Sequence, residues 1–160
     1  MKSNYLLIHG SFSSPFSNWL PYLRKEIEKK DLEVYTPDLP SGVGFQNYNN
    51  WEEIMLSYYK MGILNENTVI YAHSIAPVFI CKFLVNNNIK IKRLISVCGF
   101  NNYLGIDPDF DSVNKPMFID EVSDAKEYCD DIYCFFSDND PYVDYVVEKD
   151  FAERLTDNQI

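Results

Sequence analysis

A chain of 160 residues, 46% apolar and 16% aromatic, is long enough to bury a sizeable core within a single domain spanning 1–160. Its net charge of −10 is gathered at one end: residues 1–105 hold 10 basic and 8 acidic side chains, residues 106–160 only 4 basic against 16 acidic. That balance excludes a nucleic-acid partner, and no apolar run approaches the length of a membrane span.

Met1 to Ile8 carries one lysine and a four-residue apolar run, too little for a signal peptide. Cys81, Cys98, Cys129 and Cys134 show no CxxC or metal-ligand spacing, so they read as reduced core or near-core residues of a cytoplasmic protein. Neither a cofactor nor a metal is called for.

Tyr5-Leu6-Leu7-Ile8 is apolar without alternation, as in a strand buried on both faces, and runs into the turn-rich His9-Gly10-Ser11-Phe12-Ser13-Ser14-Pro15. Trp19, Leu20, Leu23 and Ile27 fall on one helical face, with Ser17 or Asn18 able to cap it. Glu33 to Thr36 reads as a short strand. After a polar loop, Asn50 and Glu53 have the spacing of a capping box, ahead of a Trp51, Ile54, Met55, Tyr58 stripe. Core packing is the default meaning of that stripe.

Thr68 to Ala72 is the strongest short signal in the chain. A run rich in β-branched and aromatic residues stops at His73-Ser74-Ile75, and a helix bearing Val78, Phe79 and Phe83 follows until Asn86-Asn87-Asn88. This predicts a strand, a tight turn and a helix with Ser74 at the apex, the layout of a nucleophile elbow. Such a turn strains the backbone and leaves no room for bulk two positions either side. Glycine usually fills both places; here Ala72 and Ala76 keep them small. The Ile75 amide would open the helix, where unpaired N–H groups favour negative charge. Capping of that helix by Ser74 is the plainer alternative.

Arg93 to Cys98 predicts the next strand, ending at Gly99, and Asp107-Pro108-Asp109 a break within the irregular stretch 101–129, with a short helix around Glu121–Tyr128. Ile132 to Phe136 has strong β-propensity and ends at Ser137-Asp138-Asn139-Asp140-Pro141-Tyr142-Val143. Asp144 can cap a last helix with Val147, Phe151 and Leu155 on one face. Strands alternating with helices in this rhythm predict an α/β class, a three-layer α/β/α sandwich on a mostly parallel sheet. The loops after the strand C-termini then build the site.

A strand-end His-Gly, a His-Ser elbow and a late strand-end Asp-Pro, in that order, resemble the α/β-hydrolase fold. More narrowly, the chain resembles the small lid-less serine hydrolases related to retinoblastoma-binding protein nine and their bacterial esterase-like relatives, over roughly residues 5–155. The resemblance implies Ser74 as nucleophile and Asp140 as the acid that orients the histidine, with Asp138 the weaker alternative. It implies an oxyanion hole from the amides of Ile75 and of Ser11 or Phe12. His9, Gly10 and His73 become supporting residues of their motifs. Family members continue into one more strand, a Gly-His bearing the catalytic base, and a last helix. The only histidines of this sequence are His9 and His73, so the C-terminal part with that base is expected to be missing. Ile132–Phe136 is then expected to be an exposed edge open to self-association.

Three functions compete at this point. The first is a serine hydrolase acting on small ester or amide substrates, impaired by the missing histidine. The second is a catalytically inactive binding or interaction module of the same fold. The third, a flavodoxin-like nucleotide binder, lacks a P-loop and a glycine-rich fingerprint. Residues 101–119 are expected to overhang the site, and Asp107, Asp109 and Asp111 to disfavour anionic substrates.

Overall fold

The computed structural model describes residues 3–160. Its strands are β1 (Tyr5–Ile8), β2 (Val34–Tyr35), β3 (Val69–His73), β4 (Ile91–Val97) and β5 (Cys129–Phe135). They form one parallel sheet in the order β2-β1-β3-β4-β5. Helices α1 (Leu20–Glu28), α2 (Tyr48–Lys60), α3 (Ala76–Asn87), α4 (Pro108–Asn114) and α5 (Tyr145–Leu155) make the connections, with 3₁₀ segments at Lys115–Met117 and Val122–Tyr128. The register aligns Ile8 with Ala72 and Ala72 with Ser96. The loops carrying His9, Ser74 and Cys98 therefore leave the sheet at one level, side by side.

Period-two alternation sorts the strand residues between two faces. Leu6, Ile8, Ile70, Ala72, Leu94, Ile132 and Cys134 enter the main core, with Trp51 and Met55 of α2, Phe79 and Phe83 of α3, and Phe151 and Leu155 of α5. Eight of the twelve residues of α3 are buried, so this central helix is apolar nearly all round. It stops where Asn88 turns left-handed at φ 52°. Leu7 points the other way and is covered by Leu20 and Ile27 of α1. Over β5 that second face is thinly covered: Tyr133 is half-buried and Phe135 is 38% exposed.

Four local expectations are corrected. Neither Ser17 nor Asn18 caps α1; Trp19 flanks it without a side-chain bond, and Asn18 instead makes a left-handed turn at φ 55°. Helix α2 starts earlier than the Asn50–Glu53 pair implies. Asn47 is its cap, accepting from the Asn50 amide at 2.9 Å, which sets both Tyr48 and Trp51 on the buried side. The Asp107-Pro108-Asp109 break is the start of α4. Asp107 accepts from the Asp109 and Phe110 amides, and a proline in the first turn forfeits no intrahelical bond.

The fourth correction concerns the β5 edge. Cys134 N donates to Asn158 O at 3.0 Å, Ile160 N to Cys134 O at 2.9 Å and Phe136 N to Ile160 O at 3.2 Å. Residues 158–160 thus pair with β5 in parallel and cover part of the edge that was expected to be bare, because Thr156 and Asn158 anchor their side chains on Ile132 O.

Candidate active site

Ser74 stands in the left-handed region at φ 63° between β3 and α3. For a residue with a Cβ that conformation costs about 1–3 kcal/mol, which the surroundings must over-determine. They do so by sterics. The Ser74 amide donates to Val97 O at 2.9 Å, tying the turn to β4. Ala72 and Ala76 are fully buried on either side. A Cβ added to Gly10 would lie 2.7 Å from Ser74 Cβ and 3.1 Å from His73 O. The loop after β1 can press on the elbow only because residue 10 is glycine.

A cavity of about 620 Å³ opens beside this turn, and its lining brings together Gly10, Ser11, Phe12, His73, Ser74 and Asp140. Three sequence-derived residues are not on it: His9 and Ile75 are fully buried, and Asp138 also lies off the lining. The Ile75 amide and the Ser11 amide have no hydrogen-bond partner among the described residues. The Phe12 amide donates to Gln46 Oε1 at 3.4 Å, which leaves Ser11 the freer of the two candidates for the second oxyanion donor. Ile106, Asp107, Asp109 and Phe110 line the cavity as well, so the stretch around α4 does overhang it.

The Ser11–Phe12 loop is held by a buried polar cluster that sequence reasoning missed. Ser11 Oγ donates to Asn114 Oδ1, and Gln46 Nε2 donates to Ser11 Oγ at 2.9 Å and to Asn114 Oδ1 at 3.0 Å. Gln46 sits in a polar loop and Asn114 in the irregular stretch, and neither carried a signal beyond its polarity.

His9 is not placed as a free base, whereas His73 lines the cavity beside Ser74. His9 is fully buried, with Nδ1 2.9 Å from Gly10 O and Nε2 accepting from the Leu39 amide at 3.0 Å. An accepting Nε2 assigns the proton to Nδ1, so both ring nitrogens are engaged. Burial lowers its pKa, against the pull of the Gly10 carbonyl and Asp38. His73 meets the Trp19 ring edge-on at 5.7 Å, and its buried Nδ1 has no partner among the described residues. Burial lowers its pKa too, while Asp140 pulls it upward.

On the acid side, Asp140 Oδ1 accepts from the Tyr142 amide at 2.8 Å and the Val143 amide at 2.9 Å, a turn that Pro141 pre-sets. Burial opposes its ionisation, yet those amides, the Cys98 thiol and His73 outweigh it and hold the carboxyl below its ordinary value. Two neighbours went unnoticed in the sequence. Cys98, left-handed at φ 53°, also lines the cavity, and burial beside Glu148 and Asp140 pushes its thiol up to about 12. Glu148 of α5 is buried and accepts from the Ser137 amide at 3.1 Å; burial first, and the Asp140 charge second, raise its pKa. A strand-end position pointed to Cys98; nothing in a helical stripe pointed to Glu148.

No family model and no curated protein matches the sequence. Solved structures do. The ydeN gene product from B. subtilis superposes with a TM-score of 0.80 at 23% identity, over 99% of this chain and 83% of that one. Est1E from Butyrivibrio proteoclasticus gives 0.71 at 14% identity, over 99% and 76%. Alpha/beta hydrolase domain-containing protein 10 from mouse gives 0.69 at 10% identity, over 98% and 78%. At these identities the likeness is one of fold.

Proposed function

We propose that this chain, which has the α/β-hydrolase fold, is a serine hydrolase of the esterase type acting on small ester or amide substrates through an acyl-enzyme on Ser74. The observation that carries the reading is the strained Ser74 turn, clamped by Gly10 and sharing one cavity with Asp140. In this reading Ser74 Oγ attacks the carbonyl carbon, and the amides of Ile75 and Ser11 receive the oxyanion that forms. Asp140, kept ionised by its turn amides, orients and stabilises an imidazolium. Phe12, Phe110 and Tyr142 offer apolar surface to an acyl or alkoxy group, while Asp107 and Asp109 disfavour a carboxylate-bearing substrate.

Among the described residues no proton acceptor is hydrogen-bonded to Ser74 Oγ, and the His73 ring beside it has its buried Nδ1 unpartnered. Loss of the general-base histidine costs a serine hydrolase on the order of a million-fold in turnover, about 8 kcal/mol of barrier. With His9 committed to Gly10 and Leu39, the chain as it stands hydrolyses slowly. That same commitment favours a second reading, a binding module that retains the cavity without the chemistry. No helix among the described residues is long and apolar enough to cross a membrane. The four free cysteines fit a reducing compartment, and we place the protein in the cytoplasm. Self-association would use the part of the β5 edge that residues 158–160 leave open.

The test is an intact-mass spectrum with and without a fluorophosphonate probe, beside Ser74→Ala. Slow labelling that the alanine variant abolishes is the expected result. Absence of any adduct after long exposure at high probe concentration would favour the binding module.

A further inference from the structure

Three groups converge at the acid side of the cavity from separate parts of the chain. Cys98 Sγ from the end of β4, a carboxylate oxygen of Asp140 from the loop after β5, and one of Glu148 from α5 lie within 4.8 Å of one another. Their sequence separation is why cysteine spacing gave no warning. Glu148 is 1% exposed, its Oε1 has no hydrogen-bond partner, and one of its carboxylate oxygens lies in this cluster. The turn amides occupy only Oδ1 of Asp140, leaving its other oxygen free of both. No ion pair among the described residues reaches Asp140 or Glu148. Two carboxyl groups and a thiol therefore crowd a partly desolvated spot that no Lys or Arg neutralises, an arrangement that is expensive unless a cation compensates it.

We propose that Cys98, Asp140 and Glu148 bind one divalent transition-metal ion of the zinc class. A thiolate among the donors selects zinc, cobalt or cadmium over magnesium or calcium, whose sites are built from oxygen alone. Zinc sits about 2.3 Å from sulfur and about 2.0–2.2 Å from oxygen. Tetrahedral ligand atoms are then roughly 3.6 Å apart by that geometry, so the three must close by at most about 1.2 Å from their present limit of 4.8 Å. Cys98 and Asp140 both line the cavity, so the fourth coordination position faces it, open to water or a ligand. Binding releases the Cys98 thiol proton to solvent and takes up the Asp140 carboxylate. None of this depends on Ser74 acting as a nucleophile.

The site is tested on the whole chain, kept reduced with a phosphine, by titration with Co²⁺ while following the thiolate-to-cobalt charge-transfer absorption. The expected result is a one-to-one endpoint that Zn²⁺ displaces. Cys98→Ala abolishes the band, Glu148→Gln weakens apparent affinity at least tenfold, and Ser74→Ala leaves the titration unchanged. If Glu148→Gln does not fold, Asp140→Asn, which still accepts the turn amides, carries the same tenfold expectation. No band in the unsubstituted chain, a band that survives Cys98→Ala, or undiminished affinity in both carboxyl variants would overturn the proposal.

Discussion

The two walls of the cavity are built on opposite principles. Around Ser74 the backbone is set by sterics: Gly10, Ala72 and Ala76 leave one place for the turn, and Val97 O fixes its amide. Around Asp140 the neighbours are polar and ionisable, with a thiol and a second carboxyl drawn out of water beside it. The first wall needs no charge to hold its shape. The second gathers two carboxyl groups and a thiol, and no Lys or Arg among the described residues is ion-paired to either carboxyl. Placing a nucleophile is thus a packing problem that a short sequence can solve by itself. Placing its proton relay is an electrostatic one that draws on distant segments.

The largest expected effect comes from breaking the packing that carries the acid wall. Phe151 of α5 is 2% exposed, and its ring is so close that a Cβ on Gly99 would lie 2.6 Å from it. Phe151→Ala should cost about 3–5 kcal/mol, read as a lowered denaturant midpoint at unchanged slope. Gly10→Ala tests the other wall. The 2.7 Å clash must displace backbone rather than a flexible side-chain end, so a loss of about 1–3 kcal/mol is expected. Probe labelling of Ser74 should fall with it by more than the stability loss explains.

Glu148→Gln should move in the opposite direction. A carboxyl whose folded pKa is raised binds protons more readily in the folded state, so its stabilising contribution is full at low pH and declines as pH rises through that raised value. The unsubstituted chain, free of metal, should therefore lose stability as pH climbs above the ordinary carboxylate range. Thermal melts of Glu148→Gln should show a flatter pH profile and no loss at neutral pH, since Gln can still accept from the Ser137 amide. A variant markedly less stable at neutral pH would show that the buried charge is compensated after all. The smallest effect is Asp107→Ala, which removes the α4 cap from Asp109 and Phe110 for about 1 kcal/mol, visible in hydrogen exchange of that helix.

What the sequence made legible follows the same division. The elbow, the strand-end loops and the parallel sheet were readable because β-branched runs ending in small residues leave few alternatives. Asp140 entered only through the resemblance, and Pro141 explains just the turn that its carboxylate accepts from. Helix α4 was not, since Pro108 terminates a helix as readily as it begins one, and only the Asp107 bonds decide which. Residues 158–160 along β5 were missed because three residues carry no periodicity. Glu148 was invisible for a physical reason: on a helix with Glu and Lys around it, a buried acid has the same sequence signature as a solvated one. Cys98 and Glu148 meet only through the tertiary fold.

If Ser74 is, as proposed, a nucleophile with no hydrogen-bonded base, added imidazole should rescue it. Fluorophosphonate labelling of the 160-residue chain would be timed by intact mass with and without imidazole, beside Ser74→Ala. Slow labelling that imidazole accelerates at least tenfold, and none in the alanine variant, is the expected result. Rapid labelling that imidazole leaves unchanged would contradict it, by showing that a base is already in place beside Ser74.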